Sequence, residues 1–124
     1  MVQQAHKADE IRQIIWMGSS LEDLRDFPDE VRREIGFALD RAQRGLTHRN
    51  AKPLRGLSGV FEIVSDYDRD TYRAVYALKI GDEIYVLHCF QKRSTRGIKT
   101  PKKDIDLIRR RLRIAQDVAK EKEK

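Results

Sequence analysis

The sequence predicts an α+β domain: a small antiparallel sheet with an N-terminal helical hairpin and a C-terminal helix, in the order β-α-α-β-β-β-α. Three observations carry this. Two apolar runs, 71–80 and 83–91, flank Gly81-Asp82, and Gly at the first central position suits a two-residue type II′ hairpin. Upstream, Val31, Ile35, Ala38, Leu39, Ala42 and Leu46 recur at helical spacing. Downstream, Ile105, Ile108, Leu112, Ala115 and Ala119 do the same.

In chain order, Ile11 to Met17 reads as a strand ended by Gly18. Ser20-Leu-Glu-Asp23 resembles a capping box with Asp in place of Glu, followed by Leu21, Leu24 and Phe27 at helical spacing. Pro28, Asp29 and Glu30 suit the first turn of a second helix, where a missing N–H costs nothing and acids meet the positive dipole end. Gly45 ends that helix, and the two helices are expected to rest on the sheet as an antiparallel hairpin. Residues 47–59 are turn-rich and basic, hence a loop. Val60 to Ser65 is a strand, and 66–70 a polar connection to the central hairpin. Residues 92–99 are too charged and Gly-interrupted for a strand. Thr100-Pro101 supplies the N-cap and first position of the last helix. Its apolar stripe is backed by Arg109, Arg110, Arg113 and Lys120 on the opposite side. The whole chain, 1–124, reads as one domain with a core over about 11–115 and a fraying tail at 121–124.

The hairpin turn fixes a register. Ile80 pairs with Glu83, so Arg73 lies opposite Phe90 and Val75 opposite His88. Side chains alternate faces, so Arg73, His88 and Phe90 project from one side of the sheet, with Val86 on the same face. An arginine, an imidazole and an aromatic ring beside basic residues outline a site for a phosphate, a proton transfer and a stacked base. A guanidinium in an apolar strand must reach an acid such as Glu62 or an incoming phosphate. Arg73→Ala is expected to keep the fold, its charge serving the face rather than the core.

Composition narrows the partners. With 40% hydrophobic and 37% charged residues, the chain is expected to be a soluble cytoplasmic protein. No stretch approaches the roughly 20 apolar residues of a membrane span. His6, Lys7, Asp9, Glu10 and Arg12 break any signal-peptide apolar region. Cys89 is the lone cysteine, a small core residue rather than a nucleophile. Charge is unevenly placed: residues 1–91 hold 13 Lys+Arg against 15 Asp+Glu, and 92–124 hold 13 against 5. Between Arg41 and Arg55 there is no acid, but Arg44, Arg49, Lys52 and His48 intervene. Two such segments favour a polyanionic partner. Few large apolar anchors accompany the basic helix, so no membrane partner is expected.

The element order, with Lys52-Pro-Leu-Arg55, Gly59-x-Phe-Glu62, Tyr72-Arg73-x-x-Tyr76, Val86-Leu-His-x-Phe-x-Lys92 and Lys99-Thr-Pro-Lys-x-x-Ile105, resembles the RelE/ParE toxin superfamily. Within it, the chain is most similar to the HigB-type, phage-derived RelE-like family, over roughly residues 11–115. The resemblance implies the toxin of a type II toxin–antitoxin pair: a small ribonuclease cutting mRNA, often on the ribosome, neutralised by a helix-turn-helix antitoxin. Other superfamily members poison DNA gyrase, so the fold alone does not fix the target. The late tyrosine of RelE proper has no counterpart, since no Tyr follows Tyr85. The resemblance therefore lends catalytic roles only to Lys52, Arg55, Arg73, His88 and Lys92.

No metal-ligand spacing and no carboxylate cluster stands out, so a route without metal or cofactor is expected. In it, the ribose 2′-OH attacks the adjacent phosphorus, giving a 2′,3′-cyclic phosphate and a free 5′-OH. That needs a base, an acid and positive charge over the nonbridging oxygens. His88 suits either proton role, since an imidazole ordinarily titrates at about 6.5, or else is a core histidine bonded to backbone. Phe90 can stack on a base, and Arg93, Arg96 and Lys99 are expected to grip the RNA backbone beside Lys92.

Overall fold

Residues 11–92 and 100–123 are described in the computed structural model of the chain. In chain order they form β1 (Ile14–Trp16), α1 (Ser20–Arg25), α2 (Asp29–Gln43), β2 (Ala51–Pro53), β3 (Val60–Tyr67), β4 (Asp70–Ile80), β5 (Glu83–Lys92) and α3 (Lys102–Lys122). The architecture is α+β, as the sequence predicts. The five strands lie in the order β1-β5-β4-β3-β2.

The sheet is mixed, not purely antiparallel: β1 runs parallel to β5, while β2 to β5 are antiparallel. No tight turn joins β1 to its neighbour. The chain returns through helices and three further strands, a connection long enough to permit the parallel direction. β1 is shorter than the predicted 11–17 because it faces only Ile84, Tyr85 and Val86. The predicted loop 47–59 also holds a short edge strand, in which Ala51, Lys52 and Pro53 face Ile63, Glu62 and Phe61. Proline is tolerated there because an edge strand need not donate on both sides.

Helices cover both faces of the sheet. Leu24 of α1 and Val31, Ile35, Ala38 and Leu39 of α2 pack with Ile63, Tyr72, Ala74 and Val86. On the other face, Ile108, Ala115 and Ala119 of α3 pack with Val60, Val75, Ala77, Tyr85 and Leu87. Double coverage explains why β4 and β5 read as near-continuous apolar runs instead of alternating ones.

Turn and cap chemistry sets the element ends. Ser19, not Ser20, stands at the N-cap position of α1, but its hydroxyl caps no backbone N–H and donates instead to the Asp23 carboxylate at 2.9 Å. The buried Ser20 hydroxyl instead donates to the Val86 carbonyl at 3.2 Å, tying α1 to β5. Pro28 and Pro101 stand one residue before their helices. At Gly45, φ is +78°. The Leu46 N–H reaches the Arg41 carbonyl at 2.8 Å and the Gly45 N–H reaches that of Ala42 at 3.0 Å. That pattern is a Schellman stop for α2.

Both hairpins turn on two residues. Asp68 and Arg69, at φ +52° and +72°, join Tyr67 to Asp70, where a longer polar connection was expected; positive φ at both residues is the type I′ pattern. Gly81 has φ +59°, and the predicted pairs Ile80–Glu83, Arg73–Phe90 and Val75–His88 all form. Between them the register shifts: Tyr76 faces Val86 and Ala77 faces Tyr85, so Leu87 is an extra residue. A second irregularity between Ala77 and Ile80 cancels the first. The bulge turns Leu87 and His88 toward the same, α3-covered face, and sends Val86 to the α1/α2 side. Val86 is therefore not the neighbour of His88 that strict alternation predicts.

Candidate functional site

The α3-covered face carries the candidate residues in rows across the strands. Lys52 of β2 stands opposite Glu62 of β3, Glu62 opposite Val75 of β4, and Val75 opposite His88 of β5. One row further on, Arg73 stands opposite Phe90, and one row beyond that Thr71 stands opposite Lys92. Lys52, Arg73, His88, Phe90 and Lys92 thus share one face. Arg55 lies past the end of β2 and is exposed. Arg93, Arg96 and Lys99 lie outside the described residues.

Arg73 takes the acid. Its Nη1 donates to Glu62 Oε1 at 2.8 Å, and the two side chains are 7% and 8% exposed. Nε of Arg73 is buried with no hydrogen-bond partner among the described residues. This pair corrects the expectation that the core has no need of Arg73. Without it, the Glu62 carboxylate would be stranded in a dry site. Lys92, half-buried at the end of β5, feels the same charges. Burial pushes its pKa below the ordinary lysine value, the Arg73 guanidinium lowers it further, and Glu62 opposes both.

His88 is held by α3. Its Nε2 lies 2.7 Å from Asp104 Oδ1 in the first turn of that helix. The ring stacks on Phe90 with centroids 4.6 Å apart and planes 16° apart. Nδ1 is buried and has no partner among the described residues. The imidazole is therefore bonded to a carboxylate on the last helix rather than to backbone. Arg111, two turns along α3, donates to the Leu87 carbonyl at 2.9 Å, so the bulge itself is pinned by the helix. Neither Asp104 nor Arg111 stands out in the sequence. Asp104 reads there as a dipole-compensating acid of a first turn, and the bulge that aims His88 at it has no composition signal.

A cleft of about 580 Å³ opens where β5 runs on past the short β1, lined by Phe27, Tyr72, His88, Phe90 and Gln91, with Asp23 and Asp26 at its rim. Phe27 and Tyr72 are in ring contact at 4.9 Å. A hollow of similar size, about 570 Å³, lies among Arg12, Gln43, Gly45 and Asp82 and holds none of the candidates. Beneath the site, burial pushes the Cys89 thiol up to about 12, with the Asp23 carboxylate adding to the effect and Arg111 opposing it. Such a thiol is a core group, not a nucleophile. Among the described residues no three His, Cys, Asp or Glu side chains gather as a metal site. Nor is any helix there long and apolar enough to cross a membrane.

A mixed sheet between a helical pair and a long C-terminal helix, with cationic and imidazole side chains on the last strands, is the RelE-like arrangement. Residues 22–113 match the model of the family described as "Phage derived protein Gp49-like (DUF891)", and the chain belongs to this RelE-like family. No curated protein matches the chain.

Proposed function

We propose that this protein is the toxin of a type II toxin–antitoxin pair, acting as a metal-independent endoribonuclease on mRNA, in association with the ribosome, and held in check by a helix-turn-helix antitoxin. The observation that carries the reading is the gathering of Lys52, Arg73, His88, Phe90 and Lys92 on one sheet face, beside an aromatic cleft able to seat a base. Membership of the phage-derived family supports it, as does the closer likeness of its motifs to HigB-type toxins.

In this mechanism Lys52 and Arg55, both exposed, meet the phosphate. Lys92 is the candidate base: it lies on the same face as Arg73, His88 and Phe90, and burial and the Arg73 charge lower its pKa from the ordinary lysine value. Arg73 stabilises the charge that develops on the nonbridging oxygens, exchanging part of its bond to Glu62 for one to phosphate. His88, oriented by Asp104, donates its ring proton to the leaving 5′ oxygen. DNA lacks the attacking hydroxyl, so the chemistry itself selects RNA.

One observation favours a second reading, a non-catalytic binder of the same fold such as a DNA gyrase poison. Arg73 and His88 are each buried against a carboxylate, whereas Arg109, Arg110 and Arg113 on α3 are exposed. A binder needs only the latter kind. Inducible expression in bacteria separates the two. The ribonuclease stops growth and leaves transcript fragments with 5′-OH ends, and Lys92→Gln weakens both effects. Growth arrest with intact transcripts and accumulating DNA breaks would establish the binder instead, and undisturbed growth would sink the toxin reading altogether.

A further inference from the structure

We propose that the outer face of α2, on the opposite side of the sheet from the candidate site, is a second surface for single-stranded RNA, with Phe37 as its stacking platform. The proposal rests on RNA being the target. α2 spends its inner stripe on the core, where Val31, Ile35, Ala38, Leu39 and Ala42 are buried. Phe37 falls outside that stripe and is 54% exposed. A Cβ built on the adjoining Gly36 meets nothing within 4 Å, so this flank of the helix is open.

The ring is not a stray apolar residue, because its neighbours are cationic or imidazole groups. The Arg41 guanidinium lies over it, 5.8 Å from the centroid, and the His48 ring meets it edge-on at 5.5 Å and 82°. Arg41 is itself anchored, donating from Nε to the Thr47 carbonyl at 2.7 Å, so the cation is pre-positioned. Arg33 extends the stripe one turn before Phe37 and is exposed.

Two of the nearby acids are already hydrogen-bonded. Asp40 accepts from Arg44 at 3.1 Å, and Glu34 accepts from Asn50 at 2.8 Å and Ser65 at 2.6 Å. From Arg41 to Arg55 the chain contains no acid at all. An aromatic face set among arginines fits a partner with both phosphates and unstacked bases, which is single-stranded nucleic acid.

The test is fluorescence anisotropy with a labelled twelve-nucleotide 2′-O-methyl oligoadenylate, which binds as RNA does but offers no 2′-OH to attack. Phe37→Ala and Phe37→Leu should each weaken binding about tenfold, while Phe37→Trp, with a larger π face, should hold or improve it. Arg33→Gln with Arg41→Gln should lower the slope of log K against log salt by about 1.4, at roughly 0.7 per lost contact. Binding within twofold of wild type for Phe37→Ala, with an unchanged salt slope, overturns the proposal. So does full binding by Phe37→Leu, which would mark an apolar docking face for a protein. Failure of the wild type to bind the oligomer at all overturns it too. Because the probe cannot be cut, these results stand apart from transcript mapping: a wild type that binds through Phe37 yet leaves transcripts intact keeps this surface and loses the ribonuclease.

Discussion

Removing Arg73 should unfold much of the protein before it says anything about catalysis. The Arg73–Glu62 bond is 2.8 Å long and both side chains are more than nine-tenths buried. Arg73→Ala leaves an unpaired carboxylate in that environment, a change that costs about 3–5 kcal/mol where it has been measured. Domains of this size hold only about 5–15 kcal/mol in total, and each kcal/mol moves Tm by roughly 2–8 °C. A fall of at least about 6 °C is expected, and loss of toxicity in Arg73→Ala would then be ambiguous. Glu62→Gln should be costly as well, because it leaves Arg73 and the nearby Lys92, whose pKa Glu62 holds up, without their counter-charge. The informative variant removes both partners: Arg73→Met with Glu62→Met replaces the pair by apolar groups of similar volume and should recover most of the stability. Urea denaturation of the wild type, Arg73→Met, Glu62→Met and the double Met variant closes a cycle and gives the coupling energy directly. If Arg73→Ala costs less than about 1 kcal/mol, or if the double variant is no more stable than the single, the buried pair does not exist in solution and the reasoning fails. A stable double variant that still arrests growth would remove Arg73 from the chemistry.

Two further outcomes follow from the same face and the core beneath it. Asp104→Ala strands the buried Nε2–H of His88 and should cost about 1–3 kcal/mol, whereas Asp104→Asn keeps an acceptor and should cost clearly less. Equal losses for the two substitutions in urea titrations would mean that the 2.7 Å contact is not a hydrogen bond. Stability should also fall on the alkaline side. The Cys89 thiol is pushed up to about 12 from an ordinary value of 9.0, so its contribution is intact below pH 9 and is lost progressively as pH rises toward 12. With only the unfolded state ionised, the loss reaches on the order of 1 kcal/mol by pH 10, at about 1.4 kcal/mol per pH unit. The buried tyrosines add to it at higher pH, since burial raises Tyr76 and Tyr85 as well. Cys89→Ala should have a lower starting stability but a shallower decline between pH 9 and 10. An identical decline would assign the alkaline loss elsewhere.

What could be read from the sequence is what local chemistry dictates. Gly81 demands a turn, the turn demands a register, and the register places Arg73 across from Phe90. Helical spacing gives α2 and α3 their buried stripes. What could not be read depends on long-range geometry. Nothing in residues 11–17 says that their partner is β5 and that the pairing is parallel, because that choice follows from how the rest of the chain crosses the sheet. The bulge at Leu87 is likewise silent in an apolar run, yet it decides which way His88 points and brings it to Asp104, sixteen residues away. The same gap separates a list of site residues from a site. Arg73, His88 and Lys92 can be named from a hairpin, but their charges depend on Glu62, Asp104 and the depth of burial. On the ribonuclease reading, a cation and an imidazole already bonded to carboxylates must be released before they can act. Substrate phosphate competing with Glu62 for Arg73 is therefore the step on which the ribonuclease reading turns. Inorganic phosphate or a non-cleavable RNA should then stabilise the wild type but not the Arg73→Met/Glu62→Met variant, which has no guanidinium to offer.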